Sequence, residues 1–282
     1  MTTHSTTNTI AITGSTGKVG SRVAERIGHL GADLRRASRA GDPPFDWDDP
    51  ASWPALLDGA SSVFVSFFPD LGFPGAADTI GAFAEVARTR GVERLVLLSG
   101  RGEPEAARSE EAMRAAGVPS TVLRCSWFAQ NFSEHFLLQS VLDGVIALPV
   151  DDVPEPFVDL DDVADVAVRA LLEPGHADAT YELTGPDALT FREAARILSQ
   201  ATGRRIEHIA VSPEDYVTAA VAVGVPVEEA EALTSLFATV LDGRNSYTTD
   251  DIARVLGRPP TAFAEYARRA AATGVWTRVE QR

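Results

Sequence analysis

Short apolar runs alternate with longer stretches in which apolar side chains recur every three or four positions. Thr9-Ile10-Ala11-Ile12-Thr13 is a compact run ended by Gly14, the pattern of a buried parallel strand. From Lys18 to Leu30, Val19, Val23, Ile27 and Leu30 fall at helical spacing, closed by Gly31. The same reading predicts strands at Leu34 to Ser38, Phe45 to Trp47, Ser62 to Phe68 (stopped by Pro69), Arg94 to Ser99 and Ser120 to Arg124. Helices are predicted from Ala76 to Arg90 and from Glu105 to Ala116. Phe157-Val158-Asp159 is expected as the last sheet strand, feeding a helix from Asp161 to Leu172. Such alternation makes a parallel sheet with helices on both faces.

Beyond Pro174-Gly175 the pattern changes. Tyr181 to Thr184, a helix from Phe191 to Ala201 and Ile206 to Val211 form a smaller α/β unit; from Pro213 onward the pattern is mostly helical, broken at Gly224, Gly243 and Gly257. The expected organisation is a tail at 1–8, a nucleotide-type domain at 9–174 and a C-terminal lobe at 175–282, with 143–156 a segment that can pair with the lobe.

Composition narrows the function. The 282 residues carry 25 basic and 40 acidic side chains, a formal charge of -15. Such a surface repels nucleic-acid backbones and anionic membranes. The lone cysteine, Cys125, rules out internal disulfides and a cysteine-based zinc cage. No apolar run approaches the roughly 20 residues of a membrane span. Met1 to Asn8 is rich in Thr and Ser and is read as a frayed tail rather than a signal peptide. The expectation is a soluble cytoplasmic protein, monomer or homodimer, acting on a small molecule.

Gly14-Ser15-Thr16-Gly17-Lys18-Val19-Gly20 has the spacing G-x-x-G-x-x-G. Alone that spacing is unspecific. Here it leaves a buried strand and opens an amphipathic helix, where glycines let the backbone approach a pyrophosphate and the helix N-terminus offers its N–H groups. A P-loop does not fit, because the four spacer residues are missing and Val19 stands where a magnesium-binding Ser or Thr is needed. The second strand ends in Ser38-Arg39, with Arg35 and Arg36 upstream, and no carboxylate to hold a ribose. An arginine fork recognises phosphate, so NADP(H) is favoured over NAD(H), with Arg39 and Ser38 as its readers. Asp46 is placed either to reach the adenine amino group or to cap its own loop.

Lys18 is the one lysine of the chain, and none of Tyr181, Tyr216, Tyr247 and Tyr266 has a lysine four residues on. The Tyr-x-x-x-Lys pair that protonates a forming alkoxide is therefore missing, and no catalytic residue is assigned. Reductions that need little acid help, of an iminium, quinone or enone, suit this chain. Asp151, Asp152, Glu155, Asp159, Asp161, Asp162 and Asp165 are read as helix caps and first-turn charges, not as a metal site. The histidines lack ligand spacing, although His135 follows a candidate site loop. Cys125, at a strand end without a nearby histidine, is read as packing.

The chain resembles the NmrA-like atypical short-chain dehydrogenase/reductases, nearest the branch of the ergot-alkaloid festuclavine and agroclavine dehydrogenases and their bacterial relatives. The resemblance rests on Ile12 to Gly20, Ala37-Ser38-Arg39, Pro44 to Trp47, Leu97-Leu98-Ser99, Thr121 to Arg124 and Ser126 to Phe132, then on Pro156 to Asp159, Asp162 to Ala164 and Tyr181 to Pro186. It implies a Rossmann-type doubly wound parallel sheet with a smaller C-terminal α/β substrate lobe and NADP(H) along the sheet's carboxyl edge. It further implies that Ser66, Phe67, Phe68 and Pro69, with Ser99, Gly100 and Arg101, flank ribose and nicotinamide. Ser99, Trp127, Phe128 and Asn131 would then wall the site, or Trp127 and Phe128 would serve as packing. Related reductases carry a lysine where this chain has Ala106-Ala107-Arg108. The group also contains non-catalytic NADP(H) sensors that act through a protein partner, so sensing is the alternative to turnover.

Overall fold

In the computed structural model, which describes residues 9–134 and 136–277, the chain alternates strand and helix from its first described residue. The expected tail, Met1 to Asn8, and His135 lie outside the described residues. The elements are β1 (Thr9–Ile12), α1 (Lys18–His29), β2 (Leu34–Arg36), α2 (Trp53–Leu57), β3 (Ala60–Val65), α3 (Ala76–Thr89), β4 (Arg94–Gly100), α4 (Pro104–Ala115) and β5 (Ser120–Cys125). Then come α5 (Asn131–Glu134), α6 (Leu138–Asp143), β6 (Val145–Leu148), α7 (Leu160–Leu172), β7 (Thr180–Leu183), α8 (Phe191–Thr202), β8 (Glu207–Ala210), α9 (Pro213–Ala222), α10 (Val227–Val240), α11 (Asp251–Leu256) and α12 (Phe263–Ala272).

Among the described residues the main sheet has six strands in the order β2-β1-β3-β4-β5-β7, every ladder parallel. Parallel strands buried on both faces read as continuous apolar runs, as Thr9 to Ile12 and Val63 to Val65 do. Ala11, Val63, Val65, Leu95 and Leu97 join a core with Ile80, Phe83, Ala84 and Met113 of α3 and α4. Helices α1 and α7 pack against each other, and α7 lies against β3, β4 and β5. This is the doubly wound, Rossmann-type α/β architecture. Its strand order reverses between β1 and β3, the place where such sheets open a crevice at their carboxyl ends.

The chain divides into two compact units. One runs up to Cys125 and adds Leu160–Leu183 and Asp251–Gly257; the other holds Ser126–Asp159, Thr184–Asp250 and the chain from Arg258 onward. The chain thus passes between the units several times. The second unit contains the parallel pair β6–β8 and an aromatic core in which Phe132, Phe157, Phe191 and Phe263 meet. Among the described residues no helix is long and apolar enough to cross a membrane.

Two expected strands are not strands. Phe45 to Trp47 is a loop: the Asp46 amide donates to Ser52 Oγ and its carbonyl accepts from Trp53 Nε1 at 2.8 Å, so its backbone is spent locally. Phe45, Trp47, Trp53 and Phe83 pack edge to face above it. Phe157 to Asp159 forms only an isolated bridge, Val158 to Phe128. The sixth sheet strand is β7 instead, beside β5 and within the first unit, although Tyr181 to Thr184 was assigned to the smaller lobe.

Candidate dinucleotide site

The carboxyl end of β1 delivers the glycine turn. Gly14 has φ of +61°, a left-handed conformation that costs an L side chain free energy. A Cβ on Gly20 would lie 2.2 Å from the Gly14 carbonyl oxygen, so only glycine lets α1 start this close beneath the turn. Ser15 is buried and donates to the Ala37 carbonyl at 2.8 Å, tying the turn to the end of β2. Thr16 and Gly17 are exposed and Lys18 partly so. Helix α1 has Gly17 as its N-cap, with no side-chain cap and no acidic residue in its first turn. Many helices fill those N–H groups with a Ser, Thr or Asp oxygen; a helix start without one suits an anion.

At the end of β2 the arginines separate by role. Arg35 donates to the carbonyls of Ala55, Leu56 and Asp58 (3.1, 2.7 and 2.7 Å), satisfying the last carbonyls of α2. Arg39 is exposed and makes no hydrogen bond or ion pair among the described residues. Ser38 is half-buried, its carbonyl accepting from Gly41 and Phe45. Asp46 caps its own loop: its Oδ1 accepts from the Asp48 amide at 3.1 Å.

On the other side of β1, Thr13 Oγ1 accepts from the Ser66 amide at 2.7 Å, and a Cβ on Gly14 would touch the Ser66 side chain at 3.0 Å. The end of β3 therefore abuts the glycine turn. Phe67 packs on Trp47 with ring centroids 5.1 Å apart, whereas Phe68, ahead of a cis Pro69, is 69% exposed. At the end of β4, Ser99 and Arg101 are engaged elsewhere. Ser99 donates to Glu110, which also takes Arg124 in three hydrogen bonds, and buried Arg101 lies 3.4 Å from Glu182. Cys125 is buried beside this group, and loss of hydration pushes its thiol well up, in keeping with packing.

Sequence reasoning missed two carboxylates at this edge. Glu103, the N-cap of α4, folds back over Gly100, where a Cβ would meet its Oε1 at 2.0 Å. Asp70, in the loop after β3, accepts from the Gly72 amide at 2.8 Å, and a Cβ on Gly72 would lie 3.1 Å from Glu103 Oε2 and 3.2 Å from Asp70 Oδ1. Loss of hydration and the neighbouring Asp70 charge push Glu103 up to about 7. Asp70 is itself raised by loss of hydration, against the pull of the Gly72 amide. The available signal was a lone glutamate between a strand-ending Gly100-Arg101-Gly102 and a helix-opening Pro104.

Trp127, Phe128 and Asn131 belong to the second unit. Trp127 packs with Phe136, Phe191 and Phe237, its buried indole Nε1 finding no hydrogen-bond partner among the described residues. Phe128 is half-buried and bridges Val158; Asn131 is buried at the start of α5. The acidic run divides into ion pairs: Asp161 and Asp165 hold Arg26, while Asp159 takes Arg269 and Gln130.

The residues of the first unit fit a phosphorylated dinucleotide. An uncapped helix start and a glycine turn without a Cβ suit a diphosphate, and an unengaged arginine one strand away suits a further phosphate.

The model of the NmrA-like family matches residues 106–267. The uncharacterized oxidoreductase YesF of Bacillus subtilis (strain 168) is 33% identical over 285 residues, spanning 96% of this chain and 98% of that protein. Agroclavine dehydrogenase of Claviceps fusiformis is 29% identical over 276 residues, spanning 92% and 96%. Among solved structures, the NADPH-dependent quinone oxidoreductase QOR2 of Escherichia coli, complexed with NADPH, superposes with a TM-score of 0.80 at 22% identity, covering 92% and 99%. On the family match and the length of the YesF similarity, the chain belongs to the NmrA-like family.

Proposed function

We propose that this protein is an NADPH-dependent reductase that transfers hydride to a small electrophilic organic molecule of the iminium, quinone or enone class, in the cytoplasm and in specialised metabolism. The observation that carries the reading is Arg39: exposed, without a partner among the described residues, at the end of the strand beside an uncapped glycine turn. An exposed guanidinium with its fork of donors free of protein partners is suited to hold a phosphate.

In this reading the first-turn amides of α1 hold the diphosphate, with Thr16 and Lys18 at the rim. Arg39 and Ser38 hold the 2′-phosphate, and Ser66, Phe67, Phe68 and Pro69 with Gly100 flank the nicotinamide half. The coenzyme supplies the hydride. The protein contributes orientation and exclusion of water. The relatives named above, an oxidoreductase, an agroclavine dehydrogenase and an NADPH-dependent quinone oxidoreductase, support the oxidoreductase reading.

The test is NADPH consumption against 1,4-benzoquinone, 2-cyclohexenone and the N-methyl-3,4-dihydroisoquinolinium cation. Turnover of at least one supports the reading. Tight NADPH binding without consumption of any would replace it by the sensing alternative.

A further inference from the structure

We propose that Glu103 is the proton donor of this protein, and hence that its substrates are carbonyl compounds of the quinone or enone type rather than iminium ions. This rests on the reductase reading and narrows it.

The argument begins with strand order. The phosphate-binding features lie at β1 and β2, so a dinucleotide anchored there must extend its other half across the neighbours on the opposite side, the ends of β3 and β4. Those two ends carry the loops that hold Asp70 and Glu103. Glu103 Oε1 would be 2.0 Å from a Cβ at residue 100 and its Oε2 3.1 Å from one at residue 72; the carboxyl thus occupies the space left by two glycines at the sheet's carboxyl edge.

Its lack of partners is the second observation. Among the described residues the Glu103 carboxylate makes no hydrogen bond and no ion pair, unlike Glu110 within the same helix, which Ser99 and Arg124 engage. Asp70 faces Glu103 from the β3–α3 loop. On its own element, Glu105 pairs with Arg108, and the Arg101 guanidinium is turned to Glu182. The N-terminus of α4 favours the anion, yet desolvation and Asp70 prevail and bring the group to about 7, where it can both give and regain a proton.

The chemistry selects the substrate. A quinone or enone that accepts hydride at carbon gains two electrons and leaves its oxygen anionic. The Glu103 O–H bond breaks as a new O–H bond forms on that oxygen, and the carboxylate left behind is reprotonated from water. An iminium ion becomes a neutral amine on hydride addition, so a proton donor is idle there.

The test uses the full chain as wild type, Glu103→Gln and Asp70→Asn. Carboxyl carbon-13 NMR of the ligand-free protein should show one glutamate titrating near neutrality, absent in E103Q and moved to lower pH in D70N. E103Q should bind NADPH as wild type does while its kcat/KM for 1,4-benzoquinone falls about 10²- to 10⁴-fold and loses its decline above neutral pH. Unchanged benzoquinone kinetics in E103Q with NADPH binding intact would overturn the proposal alone. So would a wild type that reduces the dihydroisoquinolinium cation but neither benzoquinone nor cyclohexenone. A wild type that fails to bind NADPH overturns the reductase reading and this proposal with it.

Discussion

Ser99 donates its hydroxyl proton to the Glu110 carboxylate at 2.7 Å, and both are buried. The serine at the end of β4 therefore belongs to a charge cluster that clamps α4 to β4 and β5 through Arg124. Removing its hydroxyl leaves Glu110 with the three Arg124 hydrogen bonds. Ser99→Ala should cost about 1 kcal/mol and leave coenzyme affinity unchanged. Arg124→Met strands a carboxylate whose side chain is 1% exposed and should cost about 3 kcal/mol, the low end for a broken buried pair because Arg124 is 34% exposed. Urea unfolding of the two variants measures the contrast.

Glycine 20 is required by contact and glycine 28 is not. A Cβ at Gly20 meets the Gly14 carbonyl oxygen at 2.2 Å, whereas at Gly28, on the same helix, it meets nothing within 4 Å. Gly20→Ala should destabilise by about 1–3 kcal/mol and weaken NADPH binding, because the turn must move. Gly28→Ala should stabilise by about 0.5–1 kcal/mol. Thermal melts with and without NADPH distinguish the two effects.

His208 gives the fold a pH limit. It is buried on β8 against Phe191, and neither ring nitrogen has a hydrogen-bond partner among the described residues. Desolvation, aided by Arg192 and opposed by Asp152 and Asp151, lowers its pKa from 6.5. In the unfolded chain the imidazole takes a proton near its ordinary value, while the folded chain still excludes it, so the unfolded state binds more protons in that window. The contribution to stability is complete above the unfolded pKa and is lost as pH falls below it. His208→Leu should melt at or above wild type at pH 7.5, and the gap should widen in its favour toward pH 5.5. A constant gap would show that His208 does not titrate with unfolding.

Much of the site was legible because it is local. The turn from Gly14 to Gly20 joins one strand to the next helix, so glycine spacing and apolar periodicity are enough to place it. The failures involve partners distant in sequence. Phe45 to Trp47 has the composition of a strand, yet Ser52 and Trp53 capture the Asp46 backbone. Tyr181 to Thr184 follows the Pro174-Gly175 break and so looks like part of the next unit, although Leu123 and Tyr181 are register partners in the main sheet. Arg35 and Arg39 look alike in sequence and differ only because α2 ends beside the first. The approach of Glu103 to Gly100, Gly72 and Asp70 joins two loops that no spacing connects.

The central claim, a phosphorylated dinucleotide at the glycine turn read by Arg39, is tested most directly by titrating wild type and Arg39→Ala with NADPH and NADH and following coenzyme fluorescence. Wild type should prefer NADPH. R39A should lose roughly ten- to a hundredfold in NADPH affinity, the worth of charge-assisted hydrogen bonds to one phosphate, with NADH affinity unchanged. Equal affinity of wild type for the two coenzymes, or binding of neither, would contradict the account.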